Sequence, residues 1–269
     1  MSGQARSDLL VDIDGHVATV TLNRPPHNFL DFDQIGHLAD TLEGLERSGE
    51  IRAVVLAANG RSFCAGANFA GGGVAPELEG DGEREAIGGS ATLRLYDEGV
   101  RLFEIGLPIV AAVQGPAIGG GLGLAMVADF RITCPEARFS ANFAALGIHQ
   151  GFGLSVTLPE RLGPSRASLV LLTARRFNGA QAVEIGLADE LVPASALVDR
   201  ARRLAGEMAA NAPLALRSIR ATLRQGLADR VRRATRHEAA EQARLSATSD
   251  AAEGIRAVSE RRAGNFTGN

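Results

Sequence analysis

The sequence predicts an α/β fold, and three observations carry that expectation. Residues 52–58, RAVVLAA, and 108–113, PIVAAV, are short continuous apolar runs bounded by turn residues, the pattern of strands buried on both faces of a parallel sheet. Residues 33–47 set Ile35, Leu38, Leu42 and Leu45 three or four positions apart, so one stripe of a helix faces the core. Strand and helix therefore alternate, until beyond residue 195 the pattern turns purely helical, with arginine-rich faces over small apolar stripes.

The remaining elements follow in chain order. LLVDIDGHVATVTLN, residues 9–23, holds two alternating segments joined at Asp14-Gly15, a dipeptide favoured in type I′ turns, and predicts an opening β-hairpin. Residues 70–89 are rich in glycine and acidic side chains without an apolar period, and read as a mobile surface loop ahead of a helix bearing Tyr96. No linker sets off the C-terminal helices. The expected organisation is a core over 1–194 with a helical region over 195–269 that is not an independent domain.

Composition narrows the function. A chain of 269 residues with 45% hydrophobic content builds a full core, and a net charge of −3 argues against a nucleic-acid binder. No run approaches the ~20 apolar residues of a spanning helix, and MSGQARSDLL lacks the apolar centre of a signal peptide. Two distant cysteines, Cys64 and Cys134, suggest neither a disulfide scaffold nor a metal site, which makes a reducing cytoplasm the expected compartment. All 28 basic residues are arginine; without lysine there is no Schiff-base chemistry and no P-loop.

Two turns stand out. AANGRSFCAGANF and QGPAIGGGLGLAM each follow a buried strand, and free amides from both, converging on one point, would form an oxyanion hole; glycine-rich strand-to-helix turns are also ordinary connections. Gly123 is the odd position, since glycine inside a helix costs about 0.5–1 kcal/mol relative to alanine.

In combination, VTLNRP (20–25 with the preceding Thr19), FCAGANF (63–69), VQGPAIGGGLGLAMVADFRI (113–132), LGIHQGFGLSVTLPERLG (146–163), RRFNGAQAVEIGLADELVP (175–193) and SDAAEGIRAVSERRAGNF (249–266) resemble the crotonase, or enoyl-CoA hydratase/isomerase, superfamily. The resemblance implies a spiral of ββα units with a C-terminal helical trimerisation region, assembled as a trimer or dimer of trimers. It implies an acyl-CoA substrate, no permanently bound cofactor beyond the coenzyme A of that substrate, and stabilisation of a thioester enolate. It carries the oxyanion-hole amides onto Ala65 and Gly120, runs the CoA moiety along Ala65, Gly66, Ala67 and Asn68, and makes Arg24 a candidate contact for the CoA end. Asn68 departs from the aspartate more usual there.

The two hydratase glutamates of that family fall on Gly123 and Phe143, and neither residue moves a proton. Ordinary hydration is therefore expected to be very slow, with the space at Gly123 left for substrate beside Phe143. His149, in a turn where other relatives place an acid/base aspartate, is the expected replacement. His27, His237, Tyr96, Asp97 and Glu98 are lesser candidates. The alternatives to an atypical lyase or isomerase are a catalytically silent acyl-CoA binder and a CoA-independent carbon–carbon hydrolase of β-diketones.

Overall fold

The protein is described by a computed structural model covering residues 8–68, 87 and 89–269. Most of the expected loop over 70–89 lies outside the described residues. The hairpin pairs β1 (Leu9–Asp14) with β2 (Val17–Leu22) antiparallel, in the register Asp14↔Val17. The two turn residues are thus Gly15 and His16, one position beyond the expected Asp14-Gly15. The reason is conformational: Gly15 has φ 56, and it is the residue able to take the first left-handed position of the turn.

Helix α1 (Phe32–Ser48) begins where Asp31 caps the Gln34 amide and ends at Gly49, with Ile35, Leu38 and Leu42 buried as the spacing requires. Strand β3 (Ala53–Ala58) leads to α2 (Ser90–Glu104), then β4 (Ile109–Val113), β5 (Pro116–Ile118) and α3 (Gly120–Val127). Strands β6 (Phe130–Thr133) and β7 (Arg138–Ser140) precede α4 (Leu154–Leu162) and α5 (Pro164–Thr173). After β8 (Phe177–Asn178), α6 (Gly179–Ile185) and β9 (Glu190–Leu191), the chain is helical: α7 (Leu197–Ala209), α8 (Pro213–Leu223), α9 (Leu227–Ser246) and α10 (Ser249–Ser259).

The main sheet runs β1-β2-β3-β4-β6-β9, parallel throughout except for the β1/β2 hairpin, and β5-β7-β8 form a small second sheet. Period-two alternation divides the two cores. Ala53, Val55 and Ala57 of β3 face α7 through Ala201, Ala205 and Ala209, whereas Val54 and Leu56 face the larger core with α1 and α3. Alanines along α7 let the helix lie close to the sheet. At the opposite side α9 packs on α2 and α4, and α10 packs on the turn at residues 144–146, so the C-terminal helices complete the wall of the region where β3, β4 and β5 end.

Candidate active site

The two glycine-containing turns are locked together by the backbone. Cys64 pairs with Ala117 in a parallel bridge: its amide donates to the Pro116 carbonyl at 3.1 Å, and its own carbonyl accepts from Ile118 at 3.0 Å. That proximity dictates the glycines. A Cβ on Gly121 would stand 2.0 Å from the Cys64 oxygen, and one on Gly66, at φ 77, would stand 2.6 Å from the Ile118 oxygen and 3.5 Å from the Gly120 nitrogen. Any side chain there would push the turns apart.

The result is a cavity of about 90 Å³ with Ala65, Gly66 and Ala67 on one lip and Ile118, Gly119 and Gly120 on the other. Apolar side chains form most of the remainder, among them Leu30, Leu95, Phe143, Leu146 and Phe152. Gly120 opens helix α3, so its amide has no carbonyl four residues back to bond and points out of the helix end. The Ala65 amide, expected to be the second donor, is engaged: it donates to the His27 carbonyl at 3.0 Å. Among the described residues no acceptor takes the Ala67 amide, and Ala67 lines the cavity. Among the described residues the free pair at the locked turns is Gly120, as in the sequence-based assignment, and Ala67, two positions beyond the expected Ala65.

Gly123 corrects a second expectation. The space beside it is filled by protein: an added Cβ would meet the Phe152 Cβ at 2.7 Å and its ring at 2.9 Å. The Phe152 ring also lies against Gly99, 3.1 Å from where a Cβ would project, and meets Tyr96 edge-on at 6.2 Å. Gly99 and Gly123 are thus the two sides of a slot for this phenyl ring. Burying it contributes roughly 2–3 kcal/mol, more than the 0.5–1 kcal/mol that glycine costs the helix. Phe143 does face the cavity, only 7% exposed.

His149 is not brought to this wall. Its Nδ1 lies 2.8 Å from the Gln150 carbonyl, and its ring packs edge-on against His237 at 5.6 Å, while the cavity lining at that turn comes from Ile148 and Phe152. Alternation along the turn carries the imidazole to the other side. Arg24 bonds two carboxylates, Asp8 at 2.5 Å and the helix-capping Asp31, and so anchors α1. His27 sits against Ser62 at 3.1 Å, Glu98 pairs with Arg101, Asp97 is exposed, and Asn68, though next to the lip, is absent from the lining.

Three residues that the sequence did not single out shape the site, two on the far wall and one at the lip. Gln242 of α9 accepts from the Tyr96 hydroxyl at 3.0 Å and donates to the His149 carbonyl at 3.0 Å. Glu238, one turn earlier and fully buried, accepts from the Gly153 and Ser155 amides at 2.8 and 3.0 Å. It caps α4, whose own start at Gly153 has no side chain to do so. Burial raises its carboxyl above the usual range despite those bonds. Asn142 completes the set, its amide beside Gly119 at the lip.

Chemically, the cavity offers backbone donors and few titratable groups. Burial pushes the Tyr96 phenol up and the Cys64 thiol up to about 12, so neither is a base or nucleophile at neutral pH. No carboxylate lines it among the described residues, and no group of three or more metal-ligating side chains occurs among them. Among the described residues no helix is long and apolar enough to cross a membrane.

The family model for enoyl-CoA hydratase/isomerase matches residues 12–269. A crotonyl-CoA hydratase of Syntrophomonas wolfei is 31% identical over 265 residues, covering 97% of this chain and 98% of that protein. A short-chain-enoyl-CoA hydratase of Clostridium acetobutylicum is 32% identical over 223 residues, 82% of each chain. Among solved structures, an enoyl-CoA hydratase/isomerase from Pseudoalteromonas atlantica superposes with a TM-score of 0.82 at 28% identity, covering 97% of this chain and 100% of that one.

Proposed function

Because this chain belongs to the enoyl-CoA hydratase/isomerase family, we propose that it binds a short acyl-CoA thioester with the thioester oxygen held between the amides of Gly120 and Ala67. These donors gain most as negative charge develops on that oxygen, so they favour the enolate over the ground state by a few kcal/mol. The observation that carries this reading is the pair of free amides at the locked turns, facing an otherwise apolar cavity of about 90 Å³. A four-carbon acyl chain suits that volume.

Hydration needs one group to activate water and another to protonate the α-carbon. Position 123 has a phenyl ring in the way and position 143 is itself a phenylalanine, so ordinary crotonyl-CoA hydration is slow in this protein. The residues supporting a silent acyl-CoA binder are the same ones: no described side chain in the lining both titrates near neutral pH and touches the cavity. His149 enters this reading only as part of the turn that Gln242 ties to α9.

Exchange of the α-protons separates enolate formation from hydration. In D₂O, with solvent entering the cavity to take the α-proton since no lining side chain does, saturated butyryl-CoA incubated with the protein is expected to gain deuterium at its α-carbon, read by mass spectrometry, while crotonyl-CoA gains no water. Binding without exchange establishes the silent binder; the absence of binding by any CoA thioester sinks the proposal. Leu214, Ile219 and Leu223 on α8, exposed by 81, 60 and 81%, support assembly with further copies of the chain, as a trimer or dimer of trimers.

A further inference from the structure

The cavity lining contains four polar side chains, and three of them are already engaged. Tyr96 and Gln242 bond each other, Gln242 also holds the His149 carbonyl, and Thr92 has its own interaction within the protein. Asn142 is different. Its backbone carbonyl accepts from Leu146 at 3.2 Å, but among the described residues nothing hydrogen-bonds its side-chain amide. That amide lies at the lip: its Oδ1 is 3.2 Å from where a Cβ on Gly119 would project, and Gly119 immediately precedes the free amide of Gly120.

We propose that Asn142 selects the acyl group, hydrogen-bonding an oxygen substituent carried on the second or third carbon of a short acyl thioester. The inference rests on the acyl-CoA reading above and adds the chemistry of the acyl chain. A hydrocarbon chain filling the cavity would strip water from the Asn142 amide and return nothing, a loss of roughly tenfold in affinity. An oxygen at either carbon replaces that water. Because an amide both donates and accepts, a hydroxyl and a ketone are each suited. Apolar Phe143 and Leu146 are its sequence neighbours in the lining, and the free amides of Ala67 and Gly120 are taken by the thioester oxygen, which leaves the Asn142 amide for the substituent.

The test is calorimetric titration of the full chain with butyryl-CoA and with its 2-hydroxy, 3-hydroxy and 3-oxo analogues. The native protein is expected to prefer at least one oxygenated analogue by about tenfold. Asn142→Leu, close in volume, should cut that preference to below about threefold, whereas Asn142→Ser, which keeps a short hydrogen-bonding group, should restore part of it. Should Asn142→Leu fail to fold by circular dichroism, Asn142→Ala takes its place. Equal binding of all four thioesters by the native protein overturns the assignment, as does a preference that survives the loss of the amide. If none of the four binds, the acyl-CoA reading itself falls, an outcome distinct from the other two.

Discussion

The two walls of the cavity are built by different means. The lip is backbone against backbone: Cys64 and Ala117 pair, and glycines at 66 and 121 allow the turns to touch. The far wall is side chain against side chain, with Phe152, Tyr96, Gln242 and Glu238 drawn from α2, α9 and the turn before α4. Backbones hydrogen-bonded at 3.0–3.1 Å leave no room for an added Cβ, whereas packed side chains relax into alternatives. The lip should therefore break sharply under substitution and the far wall should yield by degrees.

The largest effect is expected at the lip. Gly121→Ala puts a Cβ 2.0 Å from the Cys64 oxygen and must separate the two turns, so the loss should exceed about 3 kcal/mol or abolish folding. Gly44 provides the control, since nothing lies within 4 Å of where its Cβ would be in α1. There, Gly44→Ala should stabilise by about 0.5–1 kcal/mol. Urea denaturation of both variants checks the contrast; equal effects would mean that the lip is not rigid.

Next comes Gly123→Glu, which restores a carboxylate in sequence but collides with Phe152 in space. Alone it should destabilise by about 2–3 kcal/mol. Combined with Phe152→Ala, its cost should shrink by at least about 1 kcal/mol relative to the sum of the single changes. Additive effects in that double-mutant cycle would show that Gly123 and Phe152 are not two halves of one slot.

How much of this was legible in the sequence follows the same division. Short apolar runs and the 3–4 spacing of α1 located the sheet and its first helix because burial imposes those periods locally. The glycine-rich turns marked the lip because each follows a buried strand and leaves backbone amides free, although such turns are also ordinary connections. The resemblance nevertheless puts the donor on Ala65 and not on Ala67, since which amide of CAGAN is free depends on where the His27 carbonyl falls, 38 positions earlier in the chain. Gly123 likewise looked like room for substrate, since nothing local says that the phenyl ring of Phe152 folds back onto it. Glu238 and Gln242 lie in the stretch legible only as helix with arginine-rich faces over small apolar stripes, and their role exists only once α9 docks on partners 85 to 146 residues away in the chain. His149 illustrates the limit from the other side, a residue of suitable chemistry turned away by one step of the chain.

Glu238 is the third test. Removing its two acceptors by Glu238→Ala leaves the buried Gly153 amide and the partly buried Ser155 amide unpaired, at a cost of about 2 kcal/mol. Glu238→Gln keeps one acceptor and carries no charge. The folded protein holds the Glu238 proton more tightly than the usual value of 4.5, so the stability linked to that carboxyl is fully present below 4.5 and is lost as pH rises through its higher folded value. The stability gap between native protein and Glu238→Gln should accordingly narrow as pH climbs above the usual value of 4.5. A gap that widens over this range would mean that the buried carboxylate is a net stabiliser when charged.

Tyr96→Phe is the smallest perturbation, and it separates architecture from chemistry on the far wall. The change deletes one hydroxyl and leaves the Gln242 carbonyl oxygen without its donor at 3.0 Å, for a loss of about 1 kcal/mol in thermal or urea unfolding. With burial holding the phenol protonated, its oxygen has no part as a base in drawing off an α-proton. The rate of α-deuterium exchange should then fall by no more than the roughly fivefold expected from a slightly loosened wall. A drop of a hundredfold or more at unchanged stability would make Tyr96 the proton-transfer group, and the far wall, not the lip, would hold the chemistry that distinguishes this protein within its family.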